Sequence, residues 1–181
     1  MDELRHRALF DDRTDLLRPR AFQQRLSEHF SAAERHRFDL ALALVDLDDF
    51  GRVNKAYDHT VGDLVISRVG GAIRSALRAE DVAGRLGGDE FALVLPYTGR
   101  IDAARVVRRL LEDIRGLSGR IPAAPPGVRI TASVGFETFD GSDLSSLEQL
   151  RAHTEAALRE AKRLGGDRAV FYRSLSARGR A

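Results

Sequence analysis

The sequence predicts an α/β fold in which helices flank one mixed sheet. Two features of the chain indicate it. Segments with apolar residues at helical spacing alternate with short apolar runs that are typical of buried strands. With 181 residues and 43% hydrophobic content, the chain can bury one full core, which favours a single domain over two.

Five elements are predicted before residue 100. A helix over 19–37 is followed by a continuous apolar run over 40–45, which indicates a buried strand. A second helical face spans residues 63–78. Two further apolar runs, over 82–86 and 91–96, are joined by a short glycine turn and predict a β-hairpin. Helices and strands therefore alternate, as a sheet covered by helices requires.

The rest of the chain continues this alternation. Proline and glycine residues mark a loop before the next strand, and Ser145 with Glu148 has the form of a capping box at a helix start. In chain order the predicted elements are a helix over 102–114, a loop over 121–127, a strand over 128–136, a helix from the capping box to Lys162 and a last strand over 169–172.

Composition excludes several classes of protein. The chain has no cysteine, so it forms neither disulfides nor thiolate metal sites, and any metal ion must bind oxygen or imidazole. Lys and Arg number 29 against 27 acidic residues, and a formal charge of only +2 does not predict a nucleic-acid partner. No apolar run approaches the roughly 20 residues of a membrane helix. We therefore expect no membrane partner and a cytoplasmic location.

The hairpin tip carries the most specific pattern in the chain. Gly87 and Gly88 are followed directly by Asp89 and Glu90. Glycine adopts backbone angles that a side chain forbids and lets another group approach the main chain, so this turn can press a pair of carboxylates against a ligand. Taken alone, the pattern is equally consistent with a tight turn whose acidic tip is solvated.

A second acidic cluster follows the first buried strand. Asp46, Asp48 and Asp49 lie where the apolar run ends, which is the usual place for a ligand site in an α/β sheet. Carboxylate oxygens suit Mg²⁺, so Asp46 and the hairpin acids can share ions. The backbone amides of Asp49, Phe50 and Gly51, at a helix start, can hold phosphates. The alternative is an acidic helix N-terminus that interacts favourably with the helix dipole.

Together these residues resemble the GGDEF family of diguanylate cyclases. The resemblance covers about residues 11–173 and rests on the order and spacing of five short segments, which are 46–50, Asn54, 59–63, 87–91 and 161–162. It implies a single palm-like domain of the nucleotidyl-cyclase type, with a mostly antiparallel five-stranded sheet. It also implies that two GTP molecules are condensed to cyclic di-GMP, with release of two pyrophosphates, by two such domains facing each other as a homodimer.

The resemblance assigns the metal and catalytic roles to four residues. Asp46, the main-chain carbonyl of Leu47, Asp89 and Glu90 would bind two Mg²⁺ ions, with Mn²⁺ as an alternative. Such ions offset charge on a triphosphate and activate the attacking hydroxyl. One of the two hairpin acids, Asp89 in preference to Glu90, would take the proton of that hydroxyl.

The resemblance assigns substrate contacts to a second set of residues. Asn54 and Asp63 would contact guanine, because a carboxylate accepts from its N1–H and N2–H donors and adenine has no such donor pair. Lys162 would contact the phosphates, and Gly87 with Gly88 would line the substrate. The alternatives are a surface amide for Asn54, a helix N-cap for Asp63 and a solvated lysine for Lys162.

An inhibitory product site is also implied. Arg78 and Asp81 have the spacing from the hairpin at which the family binds product dimers, and Arg109 on the next helix would complete the site. An arginine fork with a nearby carboxylate suits a guanine edge and a phosphate. The same two residues are equally consistent with a surface ion pair at a helix end.

Two departures from the family pattern leave a second function open. Gly51 and Gly166 stand where the family commonly has basic residues, so two phosphate contacts lack their usual side chain, and the alternative is that Arg52, Arg163 or Arg168 compensates. The alternative to an active cyclase is therefore a catalytically weak domain that binds GTP or cyclic di-GMP as a signalling module. We expect an N-terminal helical tail over 1–10, the GGDEF domain over 11–173 and a C-terminal tail over 174–181.

Overall fold

The fold is described by a computed structural model that covers residues 3–121 and 127–178, and it confirms the predicted α/β class. In chain order the elements are α1 (Glu3–Leu9), α2 (Pro19–His36), β1 (Leu40–Leu47), α3 (Phe50–Ala76), β2 (Val82–Arg85), β3 (Glu90–Pro96), α4 (Arg100–Arg115), β4 (Ala132–Phe139), α5 (Leu147–Arg163), β5 (Arg168–Phe171) and α6 (Arg173–Arg178). Within the described ranges, no helix combines the length and the apolar character needed to cross a bilayer.

One sheet of five strands, in the order β2-β3-β1-β4-β5, forms the centre of the molecule. The strand β1 is central and pairs antiparallel with both β3 and β4, and β2 pairs antiparallel with β3. The strand β4 and the edge strand β5 pair in parallel. The sheet is therefore mixed, as the sequence pattern predicted, and mostly antiparallel, as the family resemblance implied.

Alternate residues of β1 face two different helical layers. Ala41, Ala43 and Val45 belong to the core cluster that includes α3 and α4, whereas Leu40 and Leu42 pack with α2 and the start of α5. Burial on both faces explains why the sequence of β1 is a continuous apolar run. Because side chains alternate along a strand, every even-numbered residue of β1 points toward the layer of α2 and α5.

The helix α3 is longer than predicted, and it bends. It begins at Phe50 rather than Asp63 and continues to Ala76. A Cβ atom at Gly62 would lie 1.8 Å from Oδ1 of Asn54. Eight residues of a straight helix span about 12 Å, and an asparagine side chain reaches only about 4 Å from its Cα. The helix axis must therefore turn sharply between these residues. The periodicity identified only the second arm, because that arm carries the regular run of buried apolar residues.

The strand β4 begins later than the predicted strand over 128–136. Ile130 is buried, but its main-chain N–H donates to Oγ of Ser118 at 2.9 Å instead of to a neighbouring strand. Regular pairing starts at Ala132 and extends to Phe139, three residues further than predicted. The predicted loop over 121–127 lies mostly outside the described residues, which omit 122–126.

The helix α5 begins one residue later than predicted, and a different serine caps it. Ser146 is the N-cap, and its Oγ accepts from the N–H of Gln149 at 3.1 Å. Ser145 instead donates its own N–H to Oε1 of Gln149 at 2.7 Å. The predicted box of Ser145 and Glu148 is therefore wrong: Ser146 is the capping serine, and the side chain of Gln149 bonds back to Ser145, one residue before the N-cap.

Candidate active site

Asp46 lies at the end of β1 and is 7% exposed. Its partner across the antiparallel pair of β1 and β3 is Glu90. Residues directly opposite each other in such a pair point to the same face of the sheet, here the face covered by α5. The N–H of Leu47 donates to the carbonyl of Asp89 at 3.1 Å, which ties the end of β1 to the hairpin tip. The structure thus brings together the two acidic segments that the sequence singled out.

Lys162 meets Asp46 from α5. Its Nζ donates to Oδ2 of Asp46 at 2.7 Å, and about half of the lysine side chain is exposed. Burial raises the pKa of Asp46 above its ordinary value. The lysine works to lower that pKa, and the charges of Asp89 and Asp48 add to the rise. The ammonium group stands where a cation is needed, since two carboxylates on adjacent strands repel each other.

The site suits a hard cation that binds together with a phosphate ligand. Within the part of the chain that the structure describes, no three acidic or histidine side chains converge on one point. Oε2 of Glu90 lies 3.3 Å from the position of a Cβ at Gly87, so this carboxylate is folded back over the turn. Mg²⁺ commonly takes one or two protein carboxylates and completes its shell with water and phosphate oxygens. Asp46 with one hairpin acid meets that requirement.

The glycine turn is held by Arg85, a residue that the sequence reasoning missed. Nε of Arg85 donates to the carbonyl of Gly87 at 3.1 Å, and one of its terminal nitrogens donates to the carbonyl of Gly88 at 2.8 Å. The other terminal nitrogen lies 3.2 Å from both carboxylate oxygens of Asp11. Arg85 therefore links the hairpin tip to the segment that follows α1. Its place just before the turn was a signal, but only the structure gives the direction of its side chain.

Asp11 confers a pH-dependent stability that can be measured. Burial acts to raise the pKa of Asp11, but hydrogen bonds from Thr14 and Arg85 outweigh it and hold that pKa below the ordinary value of 3.8. The stabilisation is therefore present above that value and is lost as the pH falls through the lower pKa of the folded state. We expect Asp11→Asn to be less stable than wild type near pH 6, with the difference shrinking toward about pH 3. Urea unfolding of wild type and Asp11→Asn at several pH values measures the stability difference and its change with pH.

The control for this prediction is Asp12→Asn, at a neighbouring carboxylate that is 74% exposed and paired with Arg18 at 3.3 Å. An exposed pair of this kind contributes little, so its removal should leave the unfolding free energy nearly unchanged at every pH. A constant difference between Asp11→Asn and wild type across the pH range would contradict the assignment.

A cavity of about 320 Å³ opens beside Asp46 and Lys162. Asp49 caps α3 in the left-handed conformation, with a φ of 53° and no hydrogen bond from its side chain to the helix. Its carboxylate therefore does not satisfy the amides of the first helical turn, and such amides can bind an anion. The residues that line the cavity are Asp46, Leu47, Asp48, Asp49, Lys162, Gly165 and Gly166.

Two glycines near this cavity differ in the space around them. A Cβ at Gly51, in the first turn of α3, would meet no atom within 4 Å. A Cβ at Gly166 would lie 2.8 Å from Oδ1 of Asp48, and the φ of Gly166 is +75°. A side chain can therefore be added at Gly51 without strain but not at Gly166.

The bend in α3 brings the two predicted base contacts together. Asn54 lies against Gly62, and Asp63 is the next residue. A side chain at position 62 would displace Oδ1 of Asn54 from its present place. Asp63 accepts a hydrogen bond at 2.8 Å from Arg13, and both side chains are about half exposed. Sequence reasoning did not find this arginine, which lies 50 residues away along the chain.

The three residues of the predicted inhibitory site line two different cavities. The N–H of Arg78 donates to Oδ2 of Asp81 at 2.8 Å, and both residues line a cavity of about 440 Å³ beside β2. Burial raises the pKa of Asp81 above its ordinary value. Arg109 lines a cavity of about 930 Å³ between α3 and α4, together with Arg68. The structure does not bring Arg109 together with the other two.

Residues 8–168 match the protein family described as "Diguanylate cyclase, GGDEF domain". The chain belongs to the GGDEF family. Over 170 residues this GGDEF domain is 35% identical to diguanylate cyclase DgcP of Pseudomonas aeruginosa. That alignment covers 93% of this chain but only 24% of DgcP, so the chain spans about a quarter of that relative's length. The family resemblance inferred from the sequence is confirmed.

Solved structures agree with the fold of this GGDEF domain. The crystal structure of diguanylate cyclase SiaD from Pseudomonas aeruginosa, in complex with its activator SiaC, has a TM-score of 0.83 and 35% identity, covering 93% of this chain and 63% of that chain. The GGDEF domain of DgcB from Caulobacter crescentus, in complex with c-di-GMP, has a TM-score of 0.84 and 28% identity, covering 92% and 96%. The palm-like architecture is therefore confirmed. Diguanylate cyclases of this family generally use divalent metal ions.

Proposed function

We propose that this GGDEF domain condenses two GTP molecules to cyclic di-GMP and releases two pyrophosphates when two copies face each other. The observation that carries the proposal is the meeting of Asp46, Glu90 and Lys162 at one end of the sheet, beside a cavity of about 320 Å³. Membership of the diguanylate cyclase family supports the choice of substrate and product.

Two divalent ions, Mg²⁺ or Mn²⁺, would be held by Asp46, the carbonyl of Leu47, Asp89 and Glu90. When bound, such ions supply positive charge that offsets the triphosphate and lowers the pKa of the attacking 3′-hydroxyl. Burial of Asp46 keeps this carboxylate away from bulk water, which strengthens its interaction with any cation. Arg85 and the N–H of Leu47 fix the hairpin tip, so the acids of the turn need little rearrangement.

The chain's own residues account for substrate binding and proton transfer in the proposed reaction. Asn54 and Asp63 hold the guanine, and the amides at the start of α3 hold phosphate oxygens together with Lys162. Each condensation joins a 3′-oxygen to the α-phosphorus of the other nucleotide and breaks the bond to pyrophosphate. The hydroxyl proton passes to a carboxylate oxygen of the hairpin, on Asp89 or Glu90.

The test is to incubate the purified chain with GTP and Mg²⁺ and to follow pyrophosphate and cyclic dinucleotide by chromatography. The reaction needs two domains, so the rate should rise more steeply than linearly with protein concentration. Replacement of GTP by ATP should give no product, because adenine lacks the donor pair that Asp63 accepts. Absence of product at high protein concentration, with GTP still bound, would reject the cyclase proposal.

The second candidate is a catalytically weak domain that binds GTP or cyclic di-GMP and acts as a signalling module. The observation in its favour is the absence of basic side chains at Gly51 and Gly166, both of which lie near the proposed phosphate site. Binding of GTP without turnover would support this candidate. In this candidate, cyclic di-GMP would bind in the cavity lined by Arg78 and Asp81. In an active cyclase, the same cavity would bind the product and inhibit the enzyme. Arg109 lines a different cavity and would act separately.

The proposed domain boundaries follow from the same assignment. The tail over 1–10 includes α1 and precedes the segment that carries Asp11, so a helix there is placed to act on the hairpin tip through Arg85. The C-terminal tail over 174–181 begins inside α6, and its last three residues lie outside the described part of the chain. This division stays a prediction.

Arg13 is expected to compete with the guanine base for Asp63. A guanidinium and the guanine edge both present N–H donors to a carboxylate, and Arg13 already donates to Asp63 at 2.8 Å. An exposed pair of this kind is worth up to about 1 kcal/mol, which corresponds to about fivefold in affinity. We expect Arg13→Leu to lower the KM for GTP by up to about fivefold with little change in kcat.

Arg13→Lys is the matched control, because it keeps the charge and replaces the fork by a single ammonium. Its KM should lie between those of the wild type and Arg13→Leu. A higher KM in Arg13→Leu would mean that Arg13 helps to bind the nucleotide rather than competing with it.

A further inference from the structure

We propose that Asp48 is a positioning residue, which fixes the turn after α5 and thereby holds Lys162 at the phosphate cavity. The inference deepens the proposed function, because it rests on the assignment of Lys162 to the phosphates. The sequence places Asp48 in an acidic cluster where a metal ligand is the obvious expectation. Its contacts in the structure point to a different role.

The carboxylate of Asp48 connects its own segment, at the end of β1, to the start of β4 and to the turn after α5 through hydrogen bonds. Oδ1 accepts from Oγ of Ser133 at 2.7 Å. Oδ2 accepts from Oγ1 of Thr131 at 2.7 Å and from the main-chain N–H of Asp167 at 2.8 Å. Both oxygens are thus already used by neutral donors, whereas Asp46 is paired with the ammonium of Lys162. Asp48 is a link within the protein, and Asp46 is the carboxylate that faces a cation.

The turn that Asp48 holds has an unusual backbone. Gly165, Gly166 and Asp167 all have positive φ angles, of 103°, 75° and 50°. The two glycines adopt such angles without steric cost, but Asp167 carries a side chain, and a residue of this kind keeps a positive φ only where surrounding contacts hold it. Contacts from Asp48 and Arg115 hold Asp167. Its main-chain N–H donates to Oδ2 of Asp48, and its Oδ1 accepts at 2.6 Å from Nε of Arg115, at the end of α4.

The same turn ends the helix that carries Lys162. The N–H of Gly165 donates to the carbonyl of Lys162 at 3.0 Å, and the N–H of Gly166 donates to the carbonyl of Ala161 at 3.1 Å. Loss of the anchor at Asp48 would release these caps and loosen the last turn of α5. The direction of the Lys162 side chain depends on that turn, so Asp48 acts on phosphate binding through Lys162.

Two substitutions of Asp48 separate positioning from metal binding. In Asp48→Asn, the amide oxygen can replace Oδ2 and accept from Thr131 and Asp167, while the amide nitrogen can replace Oδ1 and donate to Oγ of Ser133. We expect the affinity for GTP to stay within about twofold of wild type in Asp48→Asn and to fall at least about tenfold in Asp48→Ala. If Asp48 were instead a metal ligand, the affinity of the protein for GTP would fall in both variants.

The dependence on Lys162 is tested in the Lys162→Met background. If Asp48 acts through Lys162, Asp48→Ala should cause no further loss of GTP affinity there. A tenfold loss that persists in this background would overturn the inference. If Asp48→Ala does not fold, Thr131→Val removes one partner of Oδ2 and should weaken GTP binding about two- to threefold in wild type and not at all in Lys162→Met.

Amide hydrogen exchange tests the same inference without any nucleotide. The amide of Asp167 should exchange faster in Asp48→Ala and at the wild-type rate in Asp48→Asn. Unchanged exchange in Asp48→Ala would reject the positioning role whatever the activity of the protein. Failure of wild type to bind GTP would reject the proposed function instead, so the two failures are distinguishable.

Discussion

Replacing Asp46 by asparagine is expected to abolish cyclic di-GMP synthesis while leaving the folded domain at least as stable as wild type. The loss of activity should reach about 10³-fold, because the variant removes a charge that faces the cation site. Stability should not fall, because burial raises the pKa of Asp46 and so disfavours its ionised form in the folded state. Lys162 loses its partner but is half exposed, so water can solvate it.

The sign of the pH dependence follows from the raised pKa of Asp46. A carboxyl group with a raised folded-state pKa destabilises the fold above that pKa, and this cost disappears as the pH falls through it. The stability advantage of Asp46→Asn over wild type should therefore be largest near neutral pH and shrink in acid. Thermal unfolding between about pH 7 and pH 4, with product measured by chromatography, checks both parts.

Glu137, on the same sheet, is expected to behave in the opposite way to Asp46, because its replacement should cost stability and not nucleotide binding. It is fully buried on β4 and accepts from the N–H of Thr138 at 2.8 Å and from Nε of Arg173 at 3.0 Å, and His153 lies 3.2 Å from its other oxygen. Glu137→Gln breaks a buried network away from the candidate site, so it should lower stability and preserve GTP binding. A loss of stability in Asp46→Asn comparable with that in Glu137→Gln would contradict the expected separation.

Short-range sequence patterns predicted the fold and the acids of the site for a clear physical reason. The apolar run of β1 requires burial on both faces, and strand alternation then assigns Asp46 to one face. The hairpin of β2 and β3 is a local structure, but the pairing of Glu90 with Asp46 joins two strands that α3 and β2 separate in the chain. That meeting was predicted from the shared carboxylate chemistry of the two acidic segments and from the family resemblance, not from local geometry.

Several of the contacts that sequence reasoning missed join distant parts of the chain. Asp48 and Asp167 are 119 residues apart, and Arg85 meets Asp11 across 74 residues. Hydrophobic periodicity gives no information about where a polar side chain points. The bend in α3 was missed for a related reason, because it shows in the approach of Asn54 to Gly62, and hydrophobic periodicity does not register a polar residue meeting a glycine.

Gly51→Lys is expected to raise the affinity for GTP about tenfold by supplying the phosphate contact that the chain lacks. A Cβ at Gly51 meets no atom within 4 Å, and the residue lies in the first turn of α3, just after Asp49, which lines the cavity of Asp46. A hydrogen bond between charged groups contributes about 1.5–3 kcal/mol, which is tenfold or more in affinity. The measurement is KM for GTP, together with direct binding by equilibrium dialysis.

Gly166→Arg supplies the other missing cation but should not restore binding. The φ of +75° disfavours any side chain, and its Cβ would lie 2.8 Å from Oδ1 of Asp48. The strain should lower stability by about 1–3 kcal/mol and disturb the turn that ends the helix of Lys162. Gly51 and Gly166 look equivalent in the sequence. A basic side chain is nevertheless predicted to raise the affinity for GTP at position 51 and not at position 166.

Gly51→Met distinguishes charge from helix stiffening, since it adds a side chain of similar length without a cation. Replacing glycine in a helix stabilises it by up to about 1 kcal/mol, and both variants share that effect. Only Gly51→Lys should lower the KM, and its advantage should shrink as the ionic strength rises. Equal values of KM in the two variants would mean that the triphosphate does not lie at the start of α3, and the weakly catalytic alternative would then become the better account of this domain.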